Sequence, residues 1–369
     1  TQTPRTPHPL HRLRRTRLRR QPLPVTFLRG TMTTTTLKAP FPYFGGKRAA
    51  APLIWDLLGD PGGYVEPFAG SAAVFLARPA FTGLRVETLN DADGWLANVW
   101  RAIQLAPEEV AMHCYGPVSE IDYHARLAWL QSRRGDWLPS WLEGDPEAHD
   151  PKAAGWWLYV AACGIGDPWG PGHWIVRDGH LVDKRKHVAS AGRGVNRALP
   201  HLGNAGQGVN RALPHLGDAG KHEEQVALYL SRLASRLERV RITCGSWERV
   251  VKPSGLRATA GGDGTVGVFL DPPYATSGDL YAETNAGTGH DVAHDVNLWC
   301  RTADPNLRIV LCGYDNEHDH LLGLGWRVMS WKSGGGYGGK ESDRERLWIS
   351  PACISAGEQQ ALDFGGDAA

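Results

Sequence analysis

The chain reads Val266-Gly-Val-Phe-Leu-Asp-Pro-Pro-Tyr274 at a point where an apolar run gives way to a turn. Five apolar residues followed by turn-forming ones predict a buried strand that ends at Leu270. The Asp271 carboxylate can accept hydrogen bonds from an exocyclic amine, and the two prolines, which lack N–H groups, leave their carbonyls free to do the same. Tyr274 offers an aromatic face on which a planar base can stack. The stretch therefore indicates a place for an amino-purine or amino-pyrimidine, the alternative being a turn that only ends a strand.

A second segment combines a strand, a glycine turn and a helix start. It runs Tyr64-Val-Glu-Pro-Phe-Ala-Gly-Ser-Ala-Ala-Val-Phe-Leu76, and such a unit lets a ligand approach the backbone at a helix N-terminus. An acidic residue about 20 positions beyond the glycine is the expected partner of a ribose hydroxyl. Asp91 lies 21 residues after Gly70 and follows the strand-like run from Leu84 to Leu89. The pattern predicts a nucleotide-binding turn, with ordinary α/β packing as the alternative.

A third segment, Pro42-Tyr-Phe-Gly-Gly-Lys-Arg48, precedes a helical stretch. Its glycine pair lets the chain pass close to a ligand, and Lys47 can reach a carboxylate. A generic surface turn is the alternative for this segment taken alone.

In their order along the chain, the motifs around Lys47, Gly70, Asp91 and Asp271 resemble the D12 class, or Dam-like group, of N6-adenine-specific DNA methyltransferases. The resemblance covers most of the chain, from about residue 38 to 352. It extends to three further segments, which are Leu311–Asn316, Leu324–Trp326 and Glu345–Pro351. No single segment is decisive, but the shared order of the motifs is hard to obtain by chance.

The resemblance implies an enzyme that transfers a methyl group from S-adenosylmethionine to N6 of a flipped-out adenine in double-stranded DNA. It assigns the catalytic role to Asp271, Pro272, Pro273 and Tyr274. Tyr274 would stack on the base, while Asp271 and the Pro272 carbonyl hold its amino group. The implied cofactor contacts are Tyr43, Lys47, Glu66, Pro67, Phe68, Gly70, Asp91 and Asp271, with Asp91 on the ribose hydroxyls. Neither a metal ion nor a covalent intermediate is required.

One position departs from the family pattern. After the strand-like run that ends at Cys244, family members often carry an acid followed by an aromatic residue, whereas this chain has Ser246-Trp247.

Three other functions are the alternatives to adenine methylation. N4-cytosine methyltransferases more often carry Ser-Pro-Pro-Tyr, and protein-glutamine methyltransferases carry Asn-Pro-Pro-Tyr, so Asp271 favours adenine. An inactive DNA-binding module should have lost at least one of the site residues.

Composition agrees with an intracellular enzyme. The chain of 369 residues has no apolar run of 18 residues, so no transmembrane helix and no membrane partner are expected. Its six cysteines occur singly, with no Cys-x-x-Cys pair and none directly after a proline. This argues against a zinc site, a disulfide framework and cytosine-C5 chemistry, and it favours a reducing cytoplasm. We expect a bacterial or phage-encoded protein, for which a restriction endonuclease partner is not implied.

Positive charge is concentrated at the start of the chain. Residues 1–31 contain eight arginines and no acid, and the rest carries 32 Lys and Arg against 39 Asp and Glu. Met32 stands shortly before the first motif, so we expect residues 1–37 to be a disordered extension and Met32 to be the native start. A DNA-binding arm and a transit peptide are the alternatives.

A second basic stretch contains a repeat with a period of 14 residues. From Arg177 to Lys221 there are eight Lys and Arg against three Asp, and residues 194–206 recur almost unchanged at 208–220. Asn, Arg and His can bond to base edges or phosphates, and a flexible duplicated insertion is the alternative. The candidate DNA-binding residues are Lys184, Arg185, Lys186, Arg193, Asn196, Arg197, Asn210 and Arg211.

These segments predict a divided α/β fold. Residues 38–110 and 236–352 should form a catalytic domain with a Rossmann-like methyltransferase sheet closed by a terminal antiparallel hairpin. Within these ranges we expect a helix from about Gly94 to Leu105 and a strand from Arg308 to Cys312, and helical periodicity from Glu223 to Leu237 precedes the second range. Residues 111–235, rich in Trp, Gly and Pro, should form an inserted target-recognition domain that contains the repeat at 194–220. Residues 353–369 would be a C-terminal tail.

Overall fold

The computed structural model describes residues 37–41, 43, 47–79, 85–133, 137–164, 174–177, 180–183, 219–261, 263–273, 289–331 and 344–354. All of them belong to the second of the two units into which the chain divides, Thr36–Ala369. The expected N-terminal extension, the choice of Met32 as the native start and the 14-residue repeat lie almost wholly outside these residues.

Nine strands are present in the described part of the chain. They are β1 (Gly63–Glu66), β2 (Val86–Asp91), β3 (Trp174–Arg177), β4 (His180–Asp183), β5 (Val240–Cys244), β6 (Val266–Leu270), β7 (Arg308–Tyr314), β8 (Arg327–Ser330) and β9 (Glu345–Ile349). Seven form one sheet in the order β5-β2-β1-β6-β7-β9-β8, while β3 and β4 form a separate hairpin. Strands β5, β2, β1, β6 and β7 are parallel, and β9 runs antiparallel to both of its neighbours. The sheet is therefore mixed, with the antiparallel strand that the sequence predicted.

Helices flank these strands. They are α1 (Ala51–Leu58), α2 (Ala73–Leu76), α3 (Gly94–Leu105), α4 (Pro107–Cys114), α5 (Glu120–Ser132), α6 (Trp137–Gly144), α7 (Pro151–Cys163), α8 (Ala219–Leu237), α9 (Glu248–Val251), α10 (Pro253–Thr259) and α11 (Gly289–Thr302), with a 3₁₀ helix at Asp319–Leu324. The predicted helix from Gly94 to Leu105 is confirmed. The Asp93 side chain caps it by accepting a hydrogen bond from the Trp95 amide at 2.8 Å.

Helices cover both faces of the sheet. Successive strand residues point to opposite faces, so each strand contributes side chains to both layers. Every residue of β6 is buried, with Phe269 in one hydrophobic cluster and Val268 and Leu270 in another. The first cluster takes residues from α1, α3, α4, α7 and α8, and the second from α9 and α11. A strand buried on both faces explains why its sequence is apolar throughout rather than alternating.

The helices that follow α3 pack back onto it. Buried side chains of α4, α7 and α8 share one cluster with those of α3, and the Arg101 guanidinium of α3 reaches the chain beyond α6. It donates hydrogen bonds of 2.9–3.2 Å to four carbonyl oxygens, those of Leu142, Asp145, Ala148 and Ile242. The described part of residues 111–235 is thus continuous in packing with the sheet layer, and the target-recognition role of this segment stays a prediction. None of the described helices combines the length and apolar character needed to cross a bilayer.

Candidate active site

The candidate site lies at the edge of the sheet where the parallel strands end. Strand β1 ends at Glu66, β2 at Asp91 and β6 at Leu270. The chain runs outward from β1 through β2 to β5 on one side, and through β6 to β7 on the other. The order therefore reverses between β1 and β6, and open α/β sheets bind ligands in the crevice at such a point.

A buried ion pair joins two of the predicted residues at this edge. Lys47, which is 4% exposed, precedes α1, and its Nζ lies 3.1 Å from Oδ1 of Asp271 at the end of β6. Burial lowers the pKa of Lys47, but the combined effect of Asp271, Cys312 and Glu345 is larger, so the pKa lies above its usual value. Lys47 is therefore a fixed positive charge beside Asp271.

Asp271 and the two prolines leave β6 at the sheet edge. The Asp271 side chain is 21% exposed, Pro272 is buried and Pro273 is half-buried. The prolines cannot donate backbone hydrogen bonds, which ends strand pairing directly after Leu270. Tyr274, the fourth residue of the motif, lies outside the described residues.

Glu66 points into the protein at the end of β1. Its Oε2 accepts hydrogen bonds from the Tyr64 hydroxyl at 2.8 Å and from the Phe75 amide at 3.2 Å. Burial raises the pKa of Glu66 to about 8, against the opposing effect of these two bonds. Glu66 therefore ties β1 to helix α2 and shapes the turn between them, and its contact with a cofactor stays a prediction.

The glycine turn and the end of β2 are bound directly to each other. The Gly70 amide donates to Oδ2 of Asp91 at 2.8 Å, and the Asp93 amide donates to Oδ1 at 2.9 Å. Burial, followed by the charge of Asp93, raises the pKa of Asp91 to about 7. Each carboxylate oxygen has two acceptor positions, so Asp91 is held in place and can still accept further bonds.

Tyr43 closes the space above this turn. Gly70 has φ +46°, and a Cβ at this position would lie 2.6 Å from Cε1 of the Tyr43 ring. Only glycine combines this backbone conformation with so close a ring. The structure thus brings together five predicted site residues in two groups, Lys47 with Asp271, and Tyr43 with Gly70 and Asp91.

Residues 43–115 match the model of the D12 class N6 adenine-specific DNA methyltransferases. The matched range contains Tyr43, Lys47, the Glu66–Gly70 turn and Asp91, while Asp271 lies beyond it. Similarity to these methyltransferases over this range supports a DNA methyltransferase. No curated protein matches the chain.

The departure at Ser246-Trp247 places an aromatic side chain beside Phe68, in the turn after β1. Trp247 is 7% exposed; its ring centroid lies 6.0 Å from that of Phe68 and 6.2 Å from that of Trp299 on α11. An open cleft of about 400 Å³ lies against Trp247, lined also by Val251, Lys252 and Asp295 among others. Its described walls come from α9, from the start of α10 and from α11, and Trp247 connects the cleft to Phe68 in the turn after β1. Pro67 accepts a hydrogen bond from Asn90 Nδ2 through its carbonyl at 3.0 Å and contributes to the same turn.

Two residues that the sequence reasoning did not select lie within the Lys47 cluster. Oε1 of Glu345, at the start of β9, is 3.9 Å from Lys47 Nζ, and the buried Cys312 thiol of β7 is hydrogen-bonded to Asp271. Burial places the pKa of Cys312 well above its usual value, so it packs as a neutral thiol. The sequence signal for Glu345 was a charged residue at the start of the strand Glu345–Ile349. A charged residue at a solvent-exposed strand end gives the same signal, so the sequence did not identify Glu345 as a site residue.

The remaining predictions fall on other parts of the chain. The candidate DNA-binding residues between Lys184 and Arg211 lie outside the described residues, as does Tyr274. Among the side chains that the structure describes, no three of His, Cys, Asp or Glu are grouped as metal ligands.

Proposed function

We propose that this protein transfers a methyl group from S-adenosylmethionine to N6 of adenine in double-stranded DNA. The observation that carries the proposal is the Lys47–Asp271 ion pair at the strand reversal between β1 and β6. It joins the first and last motifs of the resemblance, and only the first of them lies in the range that matches the methyltransferase model.

The strand order supports a Rossmann-like arrangement. The parallel strands β1, β2 and β5 extend to one side of the sheet, and β6 and β7 extend to the other. The antiparallel strand β9 lies between β7 and β8. Such sheets bind nucleotides outside the carboxyl ends of the strands. The Gly70 turn after β1 and Asp91 at the end of β2 then stand where a nucleoside would approach.

The residues present fit S-adenosylmethionine. Gly70 removes a side chain where the backbone must approach a ligand, and Asp91 is oriented by two backbone amides to accept ribose hydroxyls. Phe68 and Trp247 offer aromatic surface for the adenine ring of the cofactor. When bound, the cofactor supplies an electrophilic methyl group.

Asp271 is the residue that would act on the target base. Its carboxylate and the Pro272 carbonyl can each accept a hydrogen bond from the amino group, which turns the nitrogen lone pair toward the methyl donor. Lys47 holds the Asp271 side chain in place through the ion pair of 3.1 Å between Nζ and Oδ1. Tyr274 would stack on the flipped base, whose extrusion costs a few kcal/mol.

The experiment that tests the proposal is methyl transfer from tritiated S-adenosylmethionine to unmethylated genomic DNA. Wild type is compared with Asp271→Ala, with the isosteric Asp271→Asn and with Asp56→Ala, which removes an exposed carboxylate on α1. We expect label in N6-methyladenine for wild type and Asp56→Ala, and a loss of about 100-fold or more in both Asp271 variants. Unfolding curves establish that the variants are folded.

Two other results would change the conclusion. Label in N4-methylcytosine would keep the chemistry and change the base. Binding of S-adenosylmethionine without label on any DNA would reject DNA methylation in favour of another acceptor or a binding module.

A further inference from the structure

Glu345 lies at the ligand-facing edge of the sheet because β9 is antiparallel. Strand β9 begins at Glu345, which pairs with Tyr314 at the end of β7. The first residue of an antiparallel strand meets the carboxyl ends of its parallel neighbours. Glu345 therefore stands at the same edge as Asp271, although the two belong to strands of opposite direction.

The two oxygens of Glu345 have different surroundings. Oε1 is 3.9 Å from Lys47 Nζ. Oε2 is buried and has no hydrogen-bond partner among the residues that the structure describes. A buried carboxylate oxygen without a partner is unfavourable, so a donor or a positive charge supplied by a ligand would stabilise it.

The charges of the cluster do not balance. Lys47 faces two carboxylates, those of Asp271 at 3.1 Å and Glu345 at 3.9 Å, so the three groups carry one surplus negative charge when both acids are ionised. Burial raises the pKa of Glu345; Lys47 opposes this effect and the charge of Asp271 adds to it. The cluster is therefore suited to a ligand with a net positive charge.

The methyl donor of the proposed reaction carries such a charge, and its product does not. S-adenosylmethionine has a sulfonium, an ammonium and a carboxylate, which sum to one positive charge. S-adenosylhomocysteine has lost the sulfonium charge and is neutral overall. We propose that Glu345 is a specificity-determining carboxylate that makes the site bind the charged methyl donor in preference to the neutral product. This inference rests on the proposed function.

Calorimetric titration of the full chain with both compounds tests the role of Glu345. We expect Glu345→Gln, which keeps the shape of the side chain, to weaken S-adenosylmethionine binding about tenfold while changing S-adenosylhomocysteine binding less than about threefold. Glu345→Asp retains the charge and should retain the preference. Asp315→Asn removes one exposed carboxylate, paired with Arg346 at 3.0 Å on the neighbouring segment, and should change neither affinity.

The outcomes separate this inference from the proposed function. Equal losses for the two compounds in Glu345→Gln, or no loss for either, would overturn the charge-selective role while leaving methyl transfer intact. A wild-type protein that binds neither compound would instead reject the proposed function. Thermal unfolding of each variant distinguishes a binding defect from a failure to fold.

Discussion

The backbone amide of Gly70 donates a hydrogen bond of 2.8 Å to Oδ2 of Asp91, which joins the turn after β1 to the end of β2. A second hydrogen bond, from the Asp93 amide to Oδ1, fixes the carboxylate in the other direction. The spacing between glycine and acid that is visible in the sequence is therefore a direct contact. Because the Gly70 amide orients the Asp91 carboxylate, a substitution at Gly70 should change the direction in which Asp91 can accept hydrogen bonds.

Gly70→Ala should impair ligand binding. The left-handed backbone at φ +46° costs a side-chain-bearing residue about 1–2 kcal/mol, and the new Cβ would lie 2.6 Å from the Tyr43 ring. We expect S-adenosylmethionine affinity, measured by calorimetry, to fall by about tenfold or more through displacement of Tyr43. Gly323→Ala is the control, because nothing lies within 4 Å of a Cβ at that exposed position. Unchanged affinity in Gly70→Ala would mean that Tyr43 and the turn do not contact the cofactor.

Lys47 and Asp271 should show strong energetic coupling. Lys47→Met leaves the Asp271 carboxylate without its partner at 3.1 Å, and breaking a buried pair from one side costs about 3 kcal/mol or more. The double variant Lys47→Met with Asp271→Asn should be more stable than the sum of the single losses predicts. Urea unfolding of the four proteins in this cycle measures the coupling. Additive losses would show that the two side chains do not interact in solution.

Glu66→Gln should flatten the dependence of stability on pH. Burial raises the pKa of Glu66 from 4.5 to about 8, so between these values the folded protein binds a proton that the unfolded chain has released. The stabilisation from this group is complete below pH 4.5 and is lost as the pH rises through 8. For one group the slope is at most about 1.4 kcal/mol per pH unit.

The measurement is the free energy of unfolding of wild type and Glu66→Gln at several pH values in this window. Gln keeps an oxygen for the Tyr64 hydroxyl, so the variant should gain on wild type as the pH rises. Glu224→Gln on α8 removes an exposed carboxylate and serves as the control. Parallel curves for wild type and Glu66→Gln would contradict a raised pKa at this position.

Arg101→Met should destabilise the fold strongly, although nothing in the sequence around Arg101 marks it as a buried residue. The guanidinium is 5% exposed and donates to four carbonyl oxygens, three after or within α6 and one in β5. Its removal takes one hydrogen-bond donor from each of these four carbonyl oxygens, so we expect a loss of about 2–4 kcal/mol in the free energy of unfolding. Arg249→Met, which removes the half-exposed ion pair between α9 and Glu143 of α6, should cost about 1 kcal/mol or less. Similar losses for both variants would contradict the anchoring role of Arg101.

The sequence predicted the regular elements of the sheet well. The strand Val266–Leu270 and the helix Gly94–Leu105 have the expected bounds, because a doubly buried strand is apolar throughout and an Asp before an apolar helix caps it. The strand expected from Arg308 to Cys312 extends to Tyr314. The expected terminal hairpin is present as β8 and β9. The helix expected from Glu223 to Leu237 is present and begins earlier, at Ala219. The four helices between 107 and 163 were not predicted individually, since their packing depends on partners distant in the chain.

The candidate site divides in the same way. Motif order alone selected Lys47, Gly70, Asp91 and Asp271, because glycine turns and charged residues at strand ends have local sequence signals. Their pairing came from the sheet, which places the ends of β1, β2 and β6 side by side. Glu345 could not be selected from its sequence context, because an acid at the start of a strand has the same local pattern whether it faces solvent or a buried lysine.

The sequence by itself determined the α/β class, the strands at which the motifs stand and the chemistry that those side chains can perform. Only the tertiary structure decided that Glu66 points inward to Tyr64, that Lys47 is shared by Asp271 and Glu345, and that Asp91 is held by the Gly70 turn. Local patterns depend on neighbouring residues, whereas burial, ion pairing and the resulting pKa shifts depend on side chains brought together from distant parts of the chain.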